Sequence, residues 1–284
     1  RDITPDTLTP SLTFGGFFAM QDGLRPGIRE AVLRTNAAGI RVILITGDHA
    51  VTARAIAREA GIFKEGDRIL TGTDIDTLST EEFQKVLPVT SVFARVTPEH
   101  KIKIIQCYKK RGEIIAMTGD GVNDAPSLVA ADLGIAMGKI GTEVTKEAAD
   151  LVLMDDNFGD ILSAVEEGRN MREGIRRTIT YLFSSNLGEV ILIALALLAR
   201  DPLPLLAAQI IWMNLVTDTF FDISLAMEPK DPRLMQSDTP LPKKIFDRLI
   251  ATRLAILAPV IGAGSFFLFH GAADDLERAR TIAL

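Results

Sequence analysis

The run Thr118-Gly119-Asp120-Gly121-Val122-Asn123-Asp124-Ala125-Pro126 crowds two carboxylates and a carboxamide among glycines. Oxygen donors of this kind suit a hard ion such as Mg²⁺, shared with a phosphate. The bland alternative is a tight turn of solvated acids ending in a helix cap. An apolar stretch, Glu113 to Met117, precedes the run and reads as a buried parallel strand. A helix follows it, with Asp124 as N-cap and Pro126 in the first turn. The acids therefore sit at the carboxyl end of a strand, where open α/β sheets place their chemistry.

The surrounding chain repeats this plan. Arg41 to Ile45 is a second buried strand, ending in Thr46-Gly47-Asp48 and followed by a helix from Val51 to Glu59. Two strand ends thus present Thr/Gly/Asp loops to one rim. Further strands are expected over Leu12–Met20, Ser91–Arg95, Leu133–Gly138 and Leu151–Met154, with helices over Ile28–Ala38, Thr80–Val86 and His100–Arg111. Lys101 and Lys103 fall in the first turn of the last helix, where a cation opposes the helix dipole. That placement makes sense if a phosphate or carboxylate lies opposite; otherwise the lysine is merely solvated. The alternation predicts a doubly wound parallel sheet up to about Asp155.

Composition sets the outer bounds. The chain has 284 residues, 24% of them charged, and a net charge of -6, which argues against a general nucleic-acid binder. A single cysteine, Cys107, excludes an internal disulfide framework and reads as a buried helix residue. The mean hydropathy of +0.22 is high for a purely soluble protein. Its source is the second half. A charged helix from Ile161 runs without a breaker into Thr180–Ala199, long enough to cross a bilayer. Two more spans are expected, Leu205–Met227 and Leu249–Phe269. The connecting segment 228–248 carries Lys230, Arg233, Lys243, Lys244 and Arg248, against only Arg200 in the turn 200–204. That asymmetry places residues 1–155 and the 228–248 loop in the cytoplasm. The sequence begins at Arg1 without a signal peptide and is expected to be part of a longer protein.

The spans carry polar residues that a bilayer makes expensive. Asn186 and Glu189 share one face of the first; Asn214, Thr217 and Asp218 share one face of the second, and Asp222 continues it one turn later. Carboxylates, amides and a hydroxyl on facing helices make an oxygen-only site suited to Ca²⁺ and unsuited to copper or zinc. The alternative is interhelical hydrogen-bond glue.

Several strings match a family. TGDGVNDAP at 118–126, TGD at 46–48, FARVTPEHK at 93–101 and DDNF at 155–158 closely resemble the P-type ATPases, and YLFSSNLGEV at 181–190 with WMNLVTD at 212–218 resemble the calcium-pumping type II branch. The resemblance implies a haloacid-dehalogenase-like phosphorylation domain, here incomplete, over residues 1–155. A stalk and membrane helices with the cation site would occupy 156–284. Asp120 would bind Mg²⁺, and Asn123 and Asp124 would support the phosphorylation site and the attacking water. Lys101 would neutralise the acyl phosphate. Thr46, Gly47 and Asp48 would hold the phosphoryl group and contact ATP. Asn186, Glu189, Asn214, Thr217 and Asp218 would coordinate the transported cation, Ca²⁺. Thr219-Phe220-Phe221-Asp222 departs from the small and proline residues common there in animal calcium pumps, and the additional acid, Asp222, would alter ion choice or proton countertransport. Partners would be the bilayer and the rest of the same pump: actuator domain, nucleotide-binding domain and other membrane helices. The family's phosphorylated aspartate lies in Asp-Lys-Thr-Gly-Thr, a string this chain lacks, so the chain alone is expected to be inactive and its sheet to lack a central strand. Two other readings share parts of the pattern. A membrane-anchored haloacid-dehalogenase-type phosphatase would need its own nucleophile on an early strand, where only Asp22 is on offer. A non-catalytic regulatory fragment would instead bind the partners of an intact pump.

Overall fold

The structure is a computed structural model that describes residues 15, 16, 18, 23–236, 244–272 and 274–283. The strand expected over Leu12–Met20 lies largely outside these residues, as do Asp22 and Lys243. The soluble half runs α1 (Ile28–Ala37), β1 (Leu44–Ile45), α2 (Ala50–Glu59), β2 (Arg68–Thr71), α3 (Gly72–Thr77), α4 (Thr80–Val86), β3 (Thr90–Ala94), α5 (Pro98–Lys110), β4 (Ala116–Gly119), α6 (Ala125–Ala130), β5 (Leu133–Met137), α7 (Glu143–Ala148) and β6 (Leu151–Leu153). The membrane half has α8 (Phe158–Ala199), α9 (Ala207–Trp212), α10 (Thr219–Ala226), α11 (Arg248–Gly271) and α12 (Leu276–Ala283).

All strand pairs are parallel, but the sheet comes in two pieces, ordered β1-β3-β2 and β4-β5-β6. Among the described residues each piece has two edge strands, β1 and β2 in one and β4 and β6 in the other. Apolar contact bridges the interval: Ile45 packs against buried Ile105, Met117 and Leu128. The larger core lies on the β1-β3-β2 side, where Ile75, Phe83, Leu87, Phe93 and Ile104 are buried together.

Strand β4 starts later than the apolar run suggests. Ile115 is already engaged at the Asp132 corner, donating its N–H to Asp132 Oδ2 at 2.9 Å and accepting from the Asp132 and Leu133 N–H groups. The ladder therefore opens at Ala116, opposite Leu133. Helix α5 starts earlier than expected, at Pro98, because Thr97 caps it reciprocally with His100. Strand β2 and helix α3 have no counterpart in the expectations. Thr71 and Asp74 form a capping box that starts α3.

Asp156 ties the end of β6 to its surroundings. The N–H groups of Lys139 and Ile140 donate to its carboxylate at 2.9 and 3.1 Å, and Arg25 Nη1 donates to its carbonyl at 2.8 Å. The backbone N–H bonds to the carboxylate, Lys139 first, with the Arg25 charge nearby, hold its carboxyl below the usual carboxylate range. A depressed value in the folded state means stability that is present at neutral pH and lost as pH falls below about 4. Asp156→Asn is expected to lower the melting temperature at pH 7 and to flatten the acid-side decline, which melts across pH 3–7 would read.

Helix α8 is 42 residues long, about 63 Å of unbroken rod. Its lower half is clamped on two sides. Arg169 donates to the carbonyls of Ala38, after α1, and Leu234, in the 228–248 loop, at 2.9 and 2.8 Å. Buried Arg176 donates to the Lys244 and Ile245 carbonyls and to Asp247 Oδ2, while Asp247 caps α11 through the Ile250 N–H. Its upper half exposes large apolar residues such as Val190, Leu197 and Leu198. So does α11, at Ile256, Val260 and Phe267. Helices α8 and α11 are long and apolar enough to cross a bilayer, and only 22% of the apolar window of each is buried. That makes both candidate membrane spans by length, composition and low burial. The second expected span differs: α9 and α10 are joined by a π-helical stretch, Met213–Asp218, whose i→i+5 bonding interrupts the α-helix.

Candidate functional site

The two Thr/Gly/Asp loops do face each other. They wall a cleft of about 380 Å³ lined by Thr46 and Gly47 from one strand end, by Thr118, Gly119, Asp120 and Asp124 from the other, and by Lys101. Thr46 is held by the β3 ladder, its N–H donating to the Phe93 carbonyl at 2.9 Å and its Oγ1 accepting from the Asp48 N–H at 3.1 Å. The second loop is folded around Asp124. Its Oδ2 accepts the N–H groups of Asp120 and Gly121, both at 3.3 Å, and its Oδ1 meets the Lys101 ammonium. Asp124 therefore does not cap the following helix with its side chain, as the sequence suggested; the carboxylate turns back into its own loop. Gly119 makes that turn possible, since a Cβ there would lie 2.5 Å from Asp124 Cβ. The anion opposite the oddly placed lysine is thus Asp124, and the pair is largely buried, with side-chain exposures of 15% and 12%.

Asp120 is exposed, and its backbone is braced by Thr142, whose N–H donates to the Asp120 carbonyl at 3.0 Å, and by the Thr145 hydroxyl at 3.3 Å. Asp48 and Asn123 are exposed and do not line the cleft. No group of three or more His, Cys, Asp or Glu side chains is gathered for a metal among the described residues. The cleft still fits Mg²⁺: one exposed carboxylate, Asp120, suffices for an ion that completes its shell with phosphate and water.

In the membrane half, Asp218 lies within charge range of Glu189 and of Asp222. Asp218, buried, accepts a hydrogen bond from the Tyr181 hydroxyl at 2.9 Å. Asn186 and Thr217 are exposed, and the Asn214 amide is turned to the Ile210 carbonyl of its own helix at 3.0 Å. Tyr181 was not singled out from the sequence. Its signal was an amphipathic ring on the α8 stretch that also carries Asn186 and Glu189.

Comparison with known proteins decides the family. Residues 4–132 match the haloacid dehalogenase-like hydrolase model, and residues 202–284 match that of the cation-transporting ATPase C-terminus. A calcium-transporting ATPase of Bacillus subtilis is 43% identical over 277 residues, 96% of this chain and 31% of its own length. The chain belongs to the P-type ATPases. Further P-type ATPase relatives include calcium-transporting ATPase 1 of Bacillus cereus, 43% identical over 92% of the chain and 31% of its own length. Calcium-transporting ATPase 1 of Saccharomyces cerevisiae is 39% identical over 94% of the chain and 28% of its own length. The chain thus spans about a third of the length of the P-type ATPases it matches, and does so from the cleft through to the membrane helices.

Proposed function

We propose that this chain is the part of an ATP-driven cation pump that joins phosphoryl chemistry to the membrane, that the pump works through an aspartyl-phosphate, and that its cargo is Ca²⁺. The observation carrying this reading is continuity. A cleft walled by two Thr/Gly/Asp loops and a lysine sits above a single 42-residue helix that leads to a buried carboxylate between membrane helices. The relatives named calcium-transporting ATPases support the choice of ion.

In this reading Asp120 holds Mg²⁺, which supplies charge neutralisation to the phosphoryl oxygens when bound. Lys101 carries the positive charge that the acyl phosphate needs, and in its absence rests on Asp124. Thr46 and Gly47 hold the phosphoryl group from the cleft wall through the hydroxyl and backbone N–H groups, and Asp48, exposed beside them, meets the nucleotide. Asn123 and Asp124 orient the attacking water. Aspartate attack on the γ-phosphorus of ATP forms the acyl phosphate as the bond to ADP breaks and ADP leaves, and water then releases phosphate and restores the carboxylate. The nucleophile comes from outside these 284 residues, as do the actuator and nucleotide-binding domains and the remaining membrane helices. Asn186, Glu189, Asn214, Thr217 and Asp218 bind the cation. Helix α8, fixed at its base by Arg169 and Arg176, conveys displacement of the phosphorylation domain to Glu189. The basic residues of the 228–248 loop put that loop and residues 1–155 in the cytoplasm.

The test is phosphoenzyme formation. Membranes holding the whole pump, given γ-³²P-ATP and Ca²⁺, are expected to yield an acid-stable, hydroxylamine-sensitive phosphoprotein. Asp120→Asn should slow its formation on the order of a hundredfold, and the chain alone should form none. A phosphoprotein formed by the chain alone would overturn the assignment of the nucleophile to another part of the pump.

A further inference from the structure

Asp222 has a carboxylate oxygen with nothing to bind. Its Oδ1 has no accessible surface and no hydrogen-bond partner among the described residues. The residue lies in the first turn of α10, four positions after Asp218, and so on the same helix face. Tyr181 fastens this corner to α8: its hydroxyl donates to Asp218, and its ring lies 5.5 Å from that of Phe221. The Asp218 Oδ1 is therefore already hydrogen-bonded while the Asp222 Oδ1 is not. Positive charge is absent from the sequence nearby, since residues 178–199 and 201–229 contain no Lys, Arg or His. Arg177, the nearest basic residue before that stretch, is paired with Glu173 and Glu228. A buried carboxylate oxygen left bare in a low-dielectric site is costly, and a cation relieves that cost.

We propose that Asp222 is a carboxylate ligand of the intramembrane cation site, acting beside Asp218 and biasing the site toward divalent over monovalent ions. The proposal rests on the cation-site reading above. Adding an anionic ligand to a hard-oxygen site raises its preference for the more highly charged ion, because affinity is tuned by ligand charge count. Ligands beyond the acids and amides of that reading come from neutral oxygens, since no three carboxylates converge among the described residues. The Tyr181 hydroxyl is one, and carbonyls of the π-helical stretch Met213–Asp218 are others.

Tb³⁺ tests this directly. In nanodiscs holding the whole pump that contains this chain, excitation of the aromatic residues near the site, Tyr181 and Trp212 among them, is expected to sensitise Tb³⁺ emission that Ca²⁺ displaces at far lower concentration than Na⁺. Asp222→Asn should raise the Ca²⁺ concentration needed at least tenfold with little change for Na⁺. Asp222→Glu should retain most of the wild-type response, and Asp201→Asn, in the turn after α8, should match wild type. Wild-type displacement curves in Asp222→Asn, with Asp218→Asn impaired, would overturn the role of Asp222 and leave the cation site standing. No displaceable emission in the wild type would overturn both. A melting curve of Asp222→Asn matching wild type separates lost ligation from lost folding; if that variant unfolds, Asp222→Ser takes its place, where a weakened Ca²⁺ displacement supports the proposal and a wild-type curve overturns it.

Discussion

Lys101→Met is expected to destabilise the soluble half by about 3 kcal/mol, the cost of leaving one member of a buried ion pair uncompensated. Asp124 is only 8% exposed, and apart from Lys101 its carboxylate has two long backbone hydrogen bonds, both 3.3 Å. Without the ammonium, the carboxylate must draw in water, and the loop that presents Asp120 loses its anchor. Removing both charges should cost less than removing one. Lys101→Met with Asp124→Asn is therefore expected to recover much of the loss, and a double-mutant cycle in urea reads the coupling. An additive cycle would mean that the pair contributes nothing.

The second large effect lies at the crossing of α8 and α11. A Cβ on Gly262 would stand 2.6 Å from Ile191 Cβ and 2.7 Å from the Gly188 carbonyl oxygen, and a Cβ on Gly188 would stand 2.7 Å from Ile261 Cγ2. Neither a backbone carbonyl nor a branched carbon at that distance has room to yield, so the helices must separate. Gly262→Leu is expected to cost roughly 3 kcal/mol through overpacking and to part the two spans. Gly264 has nothing within 4 Å of its would-be Cβ, and Gly264→Ala should be close to neutral. Thermal unfolding of both variants in detergent checks the contrast; equal melting temperatures would refute the close crossing.

What was legible in the sequence follows physical lines. The helices α1 and α2 were readable because apolar spacing agrees locally with the glycines Gly39 and Gly61 that follow them. Strand bounds were less so, because pairing decides them: β1 shrinks to Leu44–Ile45 where it meets β3, and β4 shifts to where Ile115 is released by Asp132. Strand β2 is too short to show a period, although the Thr71/Asp74 box after it was there to be read. Motif recognition located the cleft, but not that Asp124 would face Lys101 in place of the helix end. The membrane acids stood out by cost alone. The Tyr181–Asp218 bond and the π-helical turn depend on how two helices meet, which a linear pattern does not carry.

Calcium uptake by the whole pump tests the central claim most directly. ATP-dependent ⁴⁵Ca²⁺ accumulation would be measured in sealed vesicles holding the pump that contains this chain, with Asp120→Asn, Glu189→Gln and Asp218→Asn beside the wild type. The account predicts uptake in the wild type and its loss in all three, because the cleft and the membrane carboxylates are two ends of one machine. Uptake that survives Glu189→Gln and Asp218→Asn would contradict the placement of the site, and ATPase activity driven by another cation with no calcium uptake would contradict the ion.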